Sequence, residues 1–136
     1  LREKKTLFKA LISDIPGVGF RRLNDPAGEC ATLLTVIFDS AGQAARTSRA
    51  LGTKTVDHSG WHVYSNMEHF GLYLKERGRP FGRGAYPRTD DILSRSINLS
   101  VGVVDAGLGA AFGIHIDSSE DEIRAAARKF REACQG

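Results

Sequence analysis

The chain has 136 residues, of which 41% are hydrophobic and 26% are charged, and its formal net charge is +3. These values predict one globular domain, large enough to bury a core without disulfide or metal cross-links. They disfavour nucleic-acid binding, because the positive excess is small, and they exclude a membrane span, because the longest apolar run, residues 33–38, is far shorter than the roughly 20 residues that a bilayer requires.

The start of the chain and its cysteines bear on its origin. The sequence begins at Leu1 with residues typical of a helix already under way, so we expect a further segment to precede it. Cys30 and Cys134 stand about a hundred residues apart, and no signal-like start is present. This is not the pattern of a secreted disulfide framework, and we expect a cytoplasmic protein.

The first predicted elements are a helix and a hairpin. Apolar residues at i, i+3, i+4 spacing predict an amphipathic helix over residues 3–15, which a Pro-Gly pair ends. Two runs rich in β-forming residues, 18–23 and 32–38, flank a turn-like segment, 24–28. We therefore expect two antiparallel strands after the first helix.

A second helix and a short strand follow the hairpin. Ser40 stands at an N-cap position before the alanine-rich residues 41–51, and Gly52 is a typical helix stop. Residues 53–56 predict a short strand. Residues 57–66 are polar and aromatic without clear periodicity, which indicates a loop.

The middle of the chain is predicted to be helical with an irregular insert. A third helix begins at Ser65 or Asn66 and ends near Arg77, and the glycine- and proline-rich residues 79–88 are irregular. The Thr-Asp-Asp sequence at 89–91 then resembles an N-cap for a short helix over residues 92–96.

The last third predicts two strands and a closing helix. Residues 98–104 and 111–116 are strand-like, with Gly107 and Gly109 breaking the chain between them. The sequence from Ser119 to Glu122 fits a capping box. Four apolar residues give the closing helix its packed stripe: Ile123, Ala126, Ala127 and Phe130.

Two motifs suggest ligand chemistry that their context disfavours. His58 and His62 have the spacing of zinc ligands on a helix, but a Ser-Gly pair lies between them, so we interpret both as hydrogen-bonding imidazoles. The glycine-rich residues 107–113 resemble a dinucleotide fingerprint, yet a strand-like run follows them where a helix is needed. We expect a structural turn there and no bound metal.

The segment from Lys75 to Arg95 is cationic. Six basic residues stand against three acidic ones, which gives +3, equal to the excess of the whole chain. Arginine binds phosphate and carboxylate bidentately, so this segment, with Tyr86 for stacking, suits an anionic ligand. The alternative is a solvated surface patch. No nucleophile with a base partner is evident, and we predict no catalytic residue in the chain.

Two stretches resemble the DegT/DnrJ/StrS aminotransferases, a fold-type-I pyridoxal-phosphate family. The first is IPGVGFRRLNDPAGECATLLTVIFD, residues 15–39, followed by an alanine-rich helix. The second runs from WHVYSNMEH, residues 61–69, through YPRTDDILSR, residues 86–95, to the last helix. The similarity covers the whole chain as an order of elements with loose motifs.

The resemblance implies the carboxy-terminal small domain of such an enzyme. Its fold would be α/β of the α+β kind, a short, mostly antiparallel sheet packed with helices, beside an amino-terminal catalytic domain in a homodimer. The enzyme would move an amino group from glutamate or glutamine to a keto sugar, commonly a nucleotide-linked one. The family's Ser-x-x-Lys setting for the cofactor lysine is absent here, so pyridoxal phosphate would bind in the full-length enzyme and the isolated chain would be inactive.

Five residues are the predicted contributors to substrate binding. His62, Tyr64 and Asn66 would position the sugar or the amino donor, and Arg88 or Arg95 would neutralise a carboxylate or phosphate. Two alternatives stay open. The chain could be a stand-alone module that binds a small anion without catalysis, or an interaction domain whose first and last helices present apolar stripes to a partner.

Overall fold

The computed structural model describes residues 1–59, 63–105 and 109–136. Within these ranges the chain forms five α-helices and three β-strands. In chain order they are α1 (Arg2–Ile12), β1 (Val18–Phe20), β2 (Leu33–Phe38), α2 (Ala41–Ala50), α3 (Glu68–Glu76), α4 (Pro87–Ser94), β3 (Ser96–Ser100) and α5 (Glu120–Gln135). Short 3-10 helices lie at Val56–His58 and Tyr64–Asn66.

The sheet is antiparallel, with strand order β1-β2-β3. In β2, Val36 lies opposite Phe20 on one side and Ile97 on the other. Leu34, Val36 and Phe38 alternate toward the interior, as expected for a sheet with one covered face. The predicted hairpin and the predicted α+β class, a short antiparallel sheet packed with helices, are confirmed.

The buried apolar residues form one cluster between the sheet and the helices. β2 and β3 supply its aliphatic floor, and α1, α2 and α5 cover it. Phe130 of α5 lies at its centre, with its ring centroid 6.3 Å from that of Phe38 and 6.5 Å from that of Phe112. The predicted stripe on α5 is largely confirmed, since Ile123, Ala127 and Phe130 are buried.

Helices α1 and α5 pack side by side and run in the same direction. Near their amino-terminal ends, Lys4 donates to the carbonyl of Ser118. Near their carboxy-terminal ends, Arg131 donates to the carbonyl of Leu11 at 2.9 Å and pairs with Asp14. The first and last helices of the chain are therefore neighbours in the core.

The caps predicted at Ser40 and Ser119 are confirmed. The Ser40 hydroxyl accepts from the Gln43 N–H at 3.2 Å at the start of α2, and Gly52, with φ +66°, follows the end of that helix. The Ser119–Glu122 capping box forms at the start of α5. Helix α3 begins after Met67, slightly later than predicted, and ends one residue before Arg77.

Several predicted boundaries differ from the structure. The predicted strand 53–56 is a single bridge from Thr55 to Ile97, and the predicted strand 111–116 is a single bridge from Gly113 to Ser100. A methyl group on Gly113 would overlap the Ser100 backbone, so this contact needs glycine. Gly107 lies outside the described residues.

Helix α4 begins earlier than the sequence suggested. It starts at Pro87, whose fixed φ suits the first helical position, and the Thr-Asp-Asp sequence lies inside the helix. β3 correspondingly begins at Ser96, two residues before the predicted strand. In the described ranges, no helix combines the length and apolar character that crossing a membrane requires.

Candidate functional site

Asp57 is the centre of a polar cluster in the short 3-10 helix beside β3. Its side chain is only 13% exposed. Oδ1 accepts from the Thr55 hydroxyl at 2.6 Å and lies 3.0 Å from Nδ1 of His58. The same Nδ1 lies 3.0 Å from the Thr55 hydroxyl oxygen, so the three side chains form one hydrogen-bonded triangle. A nearly buried carboxylate with this many donors is held in one orientation.

Arg83 and Asn66 fasten this cluster from outside. Arg83 places Nη1 3.4 Å from Oδ2 of Asp57 and donates from Nη2 to the Asp57 carbonyl at 3.1 Å. Asn66 donates from Nδ2 to the carbonyls of Asp57 at 3.0 Å and Ser59 at 3.1 Å. Two segments separated in sequence are thereby tied to residue 57.

A pocket of about 310 Å³ lies beside this cluster, between the loop and helix α4. Its polar lining consists of Asp57, Ser65, Arg83, Asp90, Asp91 and Ser94. Asp90 also holds the glycine-rich segment, since its Oδ2 accepts from the Gly84 N–H at 2.7 Å. The pocket therefore offers three carboxylates, two hydroxyls and one guanidinium, a set that suits a polar, hydroxyl-rich ligand.

The structure locates four of the five predicted ligand-binding residues, while His62 lies outside the described residues. Tyr64 is 71% exposed, with its ring centroid 5.5 Å from that of Phe70. The Nδ2 group of Asn66 is used to hold the loop. Asn66 and Tyr64 belong to the same 3-10 helix as the pocket residue Ser65. Neither Tyr64 nor Asn66 is among the residues that line the pocket: Asn66 fastens the loop, and the ring of Tyr64 lies against Phe70.

The two predicted arginines have different settings. Arg88 is exposed in the first turn of α4 and forms no ion pair with any residue that the structure describes. Arg95 is 25% exposed; it binds both oxygens of Asp91 and donates from Nη1 to the Phe38 carbonyl at 2.8 Å. Hydrogen bonding from the Arg95 guanidinium holds the pKa of Asp91 below its ordinary value. Arg95 thus fastens α4 to β2, and its role toward a ligand stays a prediction.

Two of the cluster residues, Asp57 and Arg83, were not predicted as site residues. Arg83 belongs to the cationic segment recognised in the sequence, and Asp57 precedes the first of the two spaced histidines. No local pattern joins positions 57 and 83, since their contact depends on the path of the chain around α3.

The described residues place no group of metal ligands around the two spaced histidines. His58 is paired with Asp57 and Thr55 through Nδ1, and His62 lies outside the described residues. Among the residues that the structure describes, no three His, Cys, Asp or Glu side chains are grouped as metal ligands.

The described residues do not fit pyridoxal phosphate. This cofactor needs a lysine for its covalent link, donors for its phosphate and a carboxylate at its ring nitrogen. Lys54 lines a pocket without a carboxylate. Lys75 lies exposed on α3, close to the exposed side chain of Leu72. Lys75 shares its surface pocket with Glu68 but is exposed, and Lys54 is exposed too, so neither lysine has an enclosed setting.

No model of a known protein family matches this chain.

Proposed function

We propose that this chain is the carboxy-terminal small domain of a pyridoxal-phosphate-dependent aminotransferase of the DegT/DnrJ/StrS type, and that its pocket beside Asp57 forms part of the keto-sugar site. One observation carries the proposal. Two parts of the second stretch with the family resemblance, residues 61–69 and 86–95, contribute neighbouring parts of one pocket: Val63 and Ser65 from the first, and Asp90, Asp91, Leu93 and Ser94 from the second.

The chemistry of the pocket supports a sugar ligand. Hydroxyl groups donate well to carboxylates, and Asp57 and Asp90 are each held in place by other donors. Carboxylates outnumber the single guanidinium in the lining, so the pocket itself favours the neutral, hydroxylated part of a ligand. A phosphate or carboxylate on the same ligand would be neutralised by cations at the margin, where Arg88 is the predicted contact.

In this proposal the chain positions the substrate, and the amino transfer takes place on a cofactor held elsewhere in the enzyme. Tyr64, His62 and Arg88 contact the ligand. Asn66 and Arg95 position the elements that carry those contacts. The catalytic domain, the second subunit of a homodimer and the cofactor all belong to the full-length enzyme, which we place in the cytoplasm. Ligand sites commonly lie between domains, and the Asp57 pocket would form one wall of such a cleft.

The first experiment is an absorbance spectrum of the complete native gene product with added pyridoxal phosphate, before and after glutamate. We expect a visible band from bound cofactor that is lost when glutamate is added. If the complete product gives only the spectrum of free cofactor, the aminotransferase proposal fails and a non-catalytic binding module replaces it.

A pair of variants in the full-length enzyme then separates ligand binding from positioning at Arg95. If its guanidinium contacts an anion, Arg95→Ala raises the KM of one substrate more than tenfold, whereas Asp91→Asn, which removes the internal partner of Arg95 and one carboxylate of the pocket lining, raises it less. Similar effects of the two variants would assign Arg95 to positioning α4. Unchanged KM values for both substrates in Arg95→Ala would remove both roles.

A further inference from the structure

A second pocket, of about 530 Å³, lies on the other side of the Val56–His58 3-10 helix. It is formed by the second half of α2 and by residues 53–58. Three of its lining side chains are basic, Arg49, Lys54 and His58, and its lining contains no carboxylate. Its volume is within the roughly 300–1,000 Å³ of small-molecule sites.

The hydroxyl groups in this pocket are already committed as donors. Ser48 donates to the Ala45 carbonyl at 3.1 Å, and Thr53 donates to the Gly109 carbonyl at 3.1 Å. Thr55 donates to Asp57 at 2.6 Å. A ligand in this pocket would therefore be held mainly by the basic side chains.

The two permanent cations lack internal partners. Within the described ranges, neither Arg49 nor Lys54 forms an ion pair with a carboxylate. Arg49 is oriented by its own helix, since its Nε donates to the Ala45 carbonyl at 3.2 Å. The Nδ1 atom of His58 is occupied by Asp57 and Thr55, so Nε2 is the ring nitrogen without a hydrogen-bond partner among the described residues. Two uncompensated positive charges thus border one concave surface.

We propose that this pocket binds a small phosphorylated molecule. An arginine fork and a lysine ammonium together match the charge and donor needs of a phosphate dianion, and carboxylates that would repel it are missing from the lining. The remaining volume and the methyl groups of Ala45, Thr53 and Thr55 suit a small organic body attached to the phosphate. Asp57 faces the sugar pocket and His58 faces this one, so the two sites are separate and the inference does not depend on the proposed function.

The test is a ¹⁵N–¹H NMR titration of the 136-residue chain with inorganic phosphate and then with glycerol phosphate, using sodium acetate at equal ionic strength as the reference. We expect saturable shifts in the amides of Lys54, Thr55 and His58 with both phosphates, and weaker, non-saturating shifts with acetate. Arg49→Gln and Lys54→Gln should each weaken glycerol phosphate binding at least tenfold. Arg46→Gln is the matched control, because Arg46 is an exposed arginine of the same helix outside the pocket lining.

Shifts that do not saturate, that are equal for acetate and phosphate, or that survive unchanged in both Arg49→Gln and Lys54→Gln would overturn the proposal. So would an equal loss of binding in Arg46→Gln, which would indicate general charge attraction. All three substituted residues are exposed, and the wild-type titration decides the matter even if one variant fails to fold.

Discussion

The side chain of Arg95 shows how a single residue can define the geometry of a site without belonging to its lining. Its guanidinium binds Asp91 one helical turn earlier and, in another direction, the Phe38 carbonyl of β2. A lysine donates from a single nitrogen and lacks the planar fork with which Arg95 bonds Asp91 and the Phe38 carbonyl from different nitrogens. This contact ties α4 to β2 and so helps to set the positions of Asp90 and Asp91 in the pocket beside Asp57.

The two cysteines are predicted to differ in reactivity. The hydroxyl of Thr32 lies 3.5 Å from the Cys30 sulfur and lowers the pKa of that exposed thiol, whereas burial raises the pKa of the Cys134 thiol. Alkylation proceeds through the thiolate, so iodoacetamide near neutral pH should modify Cys30 several times faster than Cys134. Peptide mass spectrometry of a time course measures the two rates.

Thr32→Val supplies the control for this prediction. It removes the hydroxyl that lowers the pKa of Cys30 and keeps a side chain of similar size, so Cys30 should become slower while Cys134 keeps its rate. Equal rates for the two cysteines in the unmodified chain would contradict the prediction.

At the scale of elements, the amino terminus of α5 depends on its capping box. The Ser119 hydroxyl accepts from the Glu122 N–H at 3.3 Å, and the Glu122 carboxylate accepts from the Ser119 N–H at 2.6 Å. Ser119→Ala leaves a helix-end donor without its partner and should lower the free energy of unfolding by about 1 kcal/mol. Urea unfolding followed by circular dichroism measures the loss, and Ser13→Ala, outside any N-cap, should change it little.

The same capping box predicts a pH dependence. The Ser119 N–H, followed by its hydroxyl, holds the pKa of Glu122 below its ordinary value. A lowered pKa in the folded state means that the carboxylate stabilises the fold above the unfolded pKa of about 4.3, and that this contribution is lost as the pH falls through the folded pKa. Glu122→Ala should therefore be less stable than wild type at pH 7, and the difference should shrink as the pH falls through the folded pKa of Glu122. A constant difference across this range would rule out the carboxylate as the cause.

Elements with a strong local signal were predictable from the sequence. The spacing of Phe8 and Ile12, the caps of α2 and α5, and the turn between β1 and β2 each use residues within a few positions of one another. The strand predicted at 111–116 does not form. Phe112 and Ile114 are instead buried core side chains of an irregular segment, and among the described residues this segment has a single bridge to the sheet, at Gly113. Burial alone cannot distinguish a strand from such a segment.

The candidate site was predictable only in part, for a related reason. Residues 61–69 and 86–95 could be recognised as polar segments with ligand chemistry. The two segments come together through contacts between residues far apart in the sequence. Arg83 bonds to Asp57, 26 positions earlier, and Arg95 bonds to Phe38, 57 positions earlier. Contacts over such distances are set by the packing of whole elements, and no short pattern reports them.

For the molecule as a whole, Phe130 is the side chain on which most of the core converges. It is fully buried and contacts the sheet through Phe38 and the last irregular segment through Phe112. Phe130→Ala should lower the free energy of unfolding by about 3–5 kcal/mol, because it removes buried area and leaves a cavity. Chemical denaturation followed by circular dichroism provides the measurement.

The matched variant is Phe70→Ala. Phe70 is only partly buried, its ring contacts Tyr64 and Tyr73, and it lies outside the core cluster. Phe70→Ala should lower the free energy of unfolding by less than half as much as Phe130→Ala does. Equal losses in the two variants would contradict the prediction, because they would mean that the region around α3 contributes as much to the free energy of unfolding as the core cluster does.

The side-by-side packing of α1 and α5 has a consequence for how the protein is made. Phe8 and Ile12 of α1 are fully buried in the finished fold, yet α5 begins more than a hundred residues later in the chain. At synthesis rates of roughly 5–20 residues per second, about 5–20 s pass between the synthesis of α1 and the synthesis of α5. Throughout that interval the apolar residues of α1 lack the helix that covers them in the finished fold. We therefore expect chaperones that hold newly made polypeptides to bind this part of the nascent chain.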